Sequence, residues 1–164
     1  MPTALPVPIE FRLPEGWLPA RRGEVDPGVA FAAVHPHPDS GFAANITIDG
    51  GFPPEEATLV DLADESAQRL REVAESVRVV QRHQAGTADS PALTQRLTFS
   101  AVAGDVSREL VQSQVYLALV DTADPHRRAV LRLALTATAA QHDSVVPEFQ
   151  EFVRSVRPDT GEGA

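Results

Sequence analysis

The sequence predicts an α+β domain: a single antiparallel sheet of about six to seven strands with helices packed against it. Three observations predict it. Segments of period two recur at 92–102, 109–120 and 129–139 and are joined by short connections, as antiparallel neighbours are. A helical stripe of apolar residues runs from Leu59 to Val77, ahead of those strands. A second stripe, Val145, Phe149, Phe152, Val153 and Val156, follows them. The 164 residues read as one domain over 1–164, with an ordered core of about 7–157 and a polar tail at 158–164.

The elements follow in order. Ile9, Phe11 and Leu13 alternate with Glu10 and Arg12, as a half-buried strand requires, and Pro14-Glu15-Gly16 turns the chain. Trp17 reads as a plug over the sheet. Gly23 to Gly28 is a polar connection, Val29 to Val34 an apolar strand, and His35 to Gly41 a proline-bearing loop. Asn45 to Asp49 returns to period two, and Gly50-Gly51-Phe52-Pro53-Pro54 breaks the sheet. Thr58 is the expected cap of the first helix, with Asp61 three residues on. Its surface pairs, Glu65/Arg69 and Arg71/Glu75, are worth only ~0.2–0.5 kcal/mol each, so the apolar stripe holds the helix down. Val77 to His83 reads as a strand and Gly86 to Pro91 as a turn. In the three long strands the odd-numbered side chains are expected to form the core, with both helices pressed onto that one face. Asp143 or Ser144 is the expected cap of the last helix, with Pro147 in its first turn and Pro158 at its end.

Composition excludes several chemistries. The chain has no cysteine and its 14 basic residues are all arginine. That removes thiol catalysis, cysteine zinc sites, disulfides, Schiff-base lysines and the P-loop lysine. The net charge is −9, and residues 54–76 carry seven acids against two arginines. A nucleic-acid partner is excluded, because phosphate neutralisation needs clustered cations. No apolar run approaches the ~18 residues needed to span a bilayer, and the opening residues are expected to carry no targeting segment.

Motifs with chemical potential are few. His35 and His37 have metal-ligand spacing, with Asp39 as the only local third donor, and they read as loop histidines. No metal site and no cofactor are assigned. No G-x-S-x-G occurs, and no catalytic residue is assigned. Glu55-Glu56 and Asp64-Glu65 do not converge on one point and read as a solvated helix face. Gly50 to Pro54 reads as a plain strand-to-helix joint, since the following carboxylates would repel an anion. The even-numbered strand face is the strongest candidate. Arg96, Gln112, Gln114, Tyr116, Arg132 and Thr136 are expected to cluster there as a partner-binding platform, unless another element covers them.

The layout resembles the PsbP-like fold group, which joins PsbP, a Ran-binding nuclear-import factor, DcrB-like proteins and the actinobacterial LpqN/LpqT lipoproteins. The resemblance is carried by IEFRLPEGW, NITI, LVDLADESAQRL, QSQVYLALV, LRLALTATA and FQEFVRSVR, and is strongest to the LpqN/LpqT group. It implies an antiparallel sheet with packed helices and a non-catalytic, protein-binding or adaptor role. It carries over no catalytic residue. The chain departs from LpqN/LpqT in lacking the signal and the lipidated cysteine, and the expected location is the cytoplasm. Two alternatives stand beside the adaptor reading. One is a secretion-associated chaperone, which implies a homodimer or an exposed apolar groove. The other is a small-ligand carrier or enzyme, which needs a cavity between sheet and helix.

Overall fold

The computed structural model describes residues 9–20, 29–39, 41–54, 56–87, 90–103, 105–120 and 128–158. The expected polar connection at 23–28 and the tail at 159–164 lie outside them. The described elements are β1 (Ile9–Glu10), β2 (Leu18–Pro19), β3 (Phe31–Val34), β4 (Asn45–Gly51), α1 (Leu59–Val73), β5 (Glu75–Gly86), β6 (Pro91–Ala103), β7 (Val106–Val120), β8 (Arg128–Thr138), α2 (Ala139–Ser155) and β9 (Arg157–Pro158). Seven strands form one antiparallel sheet in the order β2-β3-β4-β8-β7-β6-β5. The α+β class and the strand number agree with the sequence reading.

The helices lie on opposite faces, which overturns the expectation that both press on one. Paired residues point to the same side of a sheet. Leu93 pairs with Tyr116 and Leu97 with Gln112, so the odd face of β6 shares a side with the even face of β7. α1 covers that side, where Leu59 and Ala63 meet Leu93, Tyr116, Ala118 and Val130. α2 covers the other, where Val145, Phe149 and Phe152 meet Ile46, Ile48, Leu133, Leu135 and Ala137. The β6–β7 connection is the cause. It opposes Ala103 to Val106, leaving two residues in the loop, and such a loop matches odd residues to even ones.

Local chemistry sets the helix ends. The Thr58 hydroxyl accepts from the Asp61 N–H at 3.0 Å and the Asp61 carboxylate accepts from the Thr58 N–H at 3.0 Å, the expected reciprocal cap. α2 begins earlier than expected. Its cap is Thr138, the last residue of β8, whose hydroxyl accepts from the Gln141 N–H and donates to Asp39 Oδ2 at 2.5 Å. Pro147 therefore sits inside the helix rather than in its first turn. α2 also stops short of Pro158, and Arg157–Pro158 returns to pair with Ile9–Glu10. Trp17 is 5% exposed and packs into the α2 core, as its plug reading requires.

Candidate functional site

Under α1 the strands carry polar side chains that close on one another. Gln114, 1% exposed, is the hub. Its amide donates to Gln112 Oε1 (2.5 Å) and Ser66 Oγ (3.1 Å), and its carbonyl accepts from Gln95 (2.6 Å) and the Tyr116 hydroxyl (3.1 Å). Gln95 also donates to the Ala63 carbonyl and accepts twice from Arg82, which pairs with Asp64 at 2.8 Å. Gln112 donates to Thr136 at 2.8 Å. Arg132 joins the other end, donating to Ser66 Oγ at 2.8 Å and to Asp49 Oδ2 at 2.7 Å. A buried polar side chain is tolerated only when its hydrogen bonds are made, and at Gln114 and Gln95 they are.

At the Arg132 end the network reaches the surface. A groove of about 530 Å³ opens between α1 and the β4–α1 connection, with Tyr116, Arg132, Asp49 and Ser66 among its lining. Phe52, Pro53 and Pro54 form one rim and Glu65 and Arg69 the other. Burial works against the Arg132 charge, but Asp49, and then Tyr116, outweigh it and keep its pKa above the ordinary value. Burial raises the Tyr116 phenol, with Ser66 and Arg132 pulling the other way. Both groups are thus fixed in one protonation state across the physiological range. The groove offers hydrogen-bonding groups and shape.

The structure brings together Gln112, Gln114, Tyr116, Arg132 and Thr136 of the six platform residues, in register on β7 and β8. Arg96 is separated from them. It pairs with Ser113, so it points to the α2 side. Tyr116 is 3% exposed, so α1 covers much of the face that the sequence left open. The sequence reading missed Asp49, Ser66 and Arg69. The signal for Asp49 was its place on the even-paired side of β4, opposite Arg132.

Two other polar constellations lie elsewhere in the fold. His35 Nδ1 accepts from the His37 N–H at 3.1 Å, Trp17 packs edge-on against the His35 ring, and the Trp17 indole N–H donates to Glu148. Among the described residues no group of three or more histidine or acidic side chains could hold a metal. Ser113 Oγ lies 2.8 Å from His142 Nε2, and His142 Nδ1 lies 3.3 Å from Asp143 Oδ1. The order is that of a nucleophilic triad. However, Ser113 sits mid-strand between β6 and β8, whose ladders take up the main-chain N–H groups that an oxyanion would need.

No family model matches the chain, and no curated protein does. Solved structures do. LpqN, involved in cell envelope biogenesis of Mycobacterium tuberculosis, superposes with a TM-score of 0.64 at 12% identity, covering 93% of this chain and 86% of its own. The Ran-binding protein Mog1p of Saccharomyces cerevisiae gives 0.60 at 17% identity, covering 95% and 93%. Cyanobacterial PsbP from Synechocystis gives 0.58 at 15%, covering 92% and 86%. The chain has the fold that PsbP and Mog1p share.

Proposed function

We propose that the protein is a non-catalytic binding module that engages a protein partner through the groove beside α1. The observation that supports this best is the meeting of Arg132 and Tyr116 at the groove floor, below a rim that carries Phe52 at 39% exposure. Arginine and aromatic residues dominate interface energetics when they are held in one geometry before binding. Asp49 and Ser66 hold Arg132 so. The fold supports the same reading, since Mog1p is a Ran-binding protein. Gln112, Gln114, Thr136 and the buried Tyr116 then act as scaffold, and Phe52 and Arg69 join Arg132 as contact residues. No helix of the described residues is long and apolar enough to cross a membrane.

The test is affinity purification from the native host with the wild type, Phe52→Ala and Arg69→Glu, each checked for an unchanged melting temperature. A partner held by the wild type should be lost by both variants. Its retention by both would refute the groove as the contact.

A further inference from the structure

On the α2 face a second cavity of about 440 Å³ lies between the helix and strands β5 to β7. Its volume is within the range of small-molecule sites, roughly 300–1,000 Å³. Val146, Phe149 and Val153 of α2 form an apolar wall, and Thr94 and Arg96 of β6 lie on the floor. Thr94 and Arg96 are two apart on one strand, so they share a face. The charges of this cavity are one-sided. Arg96, Arg154 and His83 line it, and among the described residues no carboxylate does, in a chain whose net charge is −9.

Arg96 is the anomaly. Its Nε is buried with no hydrogen-bond partner, as are those of Arg128 and Arg132, but the terminal nitrogens of those two are held by the Ala57 carbonyl and by Ser66 and Asp49. Arg82 and Arg132, on the opposite face, each hold a carboxylate at 2.7–2.8 Å. A cation at the edge of a core without a counter-ion weakens the fold. The chain has carboxylates in excess, and its described residues place none here. A carboxylate from outside would complete the Arg96 fork, and the apolar wall beside it suits an apolar body.

We infer that this cavity binds a small carboxylate with an apolar body. The carboxylate sits on Arg96 beside the Thr94 hydroxyl, and the apolar body lies against Val146, Phe149 and Val153. Arginine suits the head group because its planar fork matches a carboxylate with two parallel hydrogen bonds. The site is independent of the groove, which lies across the sheet.

Isothermal titration calorimetry with sodium octanoate, and with 1-octanol as the uncharged control, tests the inference. Octanoate should bind saturably, and octanol roughly tenfold or more weakly, as loss of a charge-assisted pair implies. Arg96→Gln should weaken octanoate to the same degree without lowering the melting temperature. Thr94→Glu supplies an internal carboxylate beside Arg96 and should abolish binding; it decides the matter if Arg96→Gln fails to fold. Phe52→Ala, in the groove, should leave octanoate affinity unchanged, so the two sites fail separately. Equal binding of octanol and octanoate, no saturable heat, or octanoate affinity unchanged in both β6 variants would overturn the inference.

Discussion

At the residue scale the polar layer under α1 has a hub whose loss is costly. Gln114 uses both donors and its acceptor oxygen on four partners, three of them themselves buried or nearly so. Gln114→Leu keeps the volume and takes one hydrogen bond from each of Gln95, Ser66 and Tyr116. The expected loss is roughly 2–4 kcal/mol, because buried groups left unpaired lose their full desolvation energy. Urea unfolding measures it, and a value under about 1 kcal/mol would show that water replaces the amide. His142 carries a second prediction. It is 2% exposed, and burial first, then the Arg96 charge, lowers its pKa, while Asp143 opposes both. The unfolded chain, with a histidine near 6.5, then binds more protons than the folded one below that pH. Stability from this group is intact above about pH 6.5 and falls as pH drops toward the folded-state value. His142→Gln should flatten the slope of stability between about pH 7 and pH 5; an unchanged slope would assign it to other groups.

At the element scale the helix ends are the sensitive points. Thr58→Ala removes one half of the α1 capping box and should cost about 1 kcal/mol in chemical denaturation. Pro147 is the opposite case. It lies inside α2, where it lacks the N–H that would reach the Asp143 carbonyl, yet Asp143 and Pro147 both face solvent, so water can satisfy that oxygen. Pro147→Ala should therefore raise stability by about 1 kcal/mol or more, seen as a higher urea midpoint; a lower midpoint would mean the α2 packing depends on the proline. The same element explains what was legible in the sequence. Periodicity revealed the strands and both stripes, because it depends only on neighbours along the chain. The start of α2 was hidden, since Thr138 completes a strand and caps a helix at once, and its polar side chain reads equally as either. Facing was hidden too. Parity across β6 and β7 depends on the residues left in one turn, and a change of one residue there moves Arg96 to the side of Tyr116. That is why five platform residues meet and the sixth lines a different cavity.

At the scale of the whole molecule the sheet is covered on both faces, and the two ends of the described chain close over the α2 core. Ile9 pairs with Pro158 and Glu10 with Arg157, and the Ser155 hydroxyl accepts from the Arg12 N–H at 2.9 Å. Phe11 then lies edge-on to both Phe31 and Phe152, with ring centroids 5.0 and 5.5 Å away. Two forces could hold this clasp, and their magnitudes separate them. The Arg157–Glu10 ion pair is short, 2.6 Å, but its side chains are 75% and 54% exposed, so solvent screens it to under about 1 kcal/mol. Phe11 is half-buried against two aromatic rings, and truncating it should cost about 2–3 kcal/mol, below the value for a fully buried phenylalanine. Phe11→Ala should lower the urea midpoint far more than Arg157→Ala. It should also speed amide exchange in the last turn of α2, because Phe152 loses its cover there. Equal effects of the two variants would mean that the ends are held by charge, and that the core stops at the helix instead of continuing into the first strand.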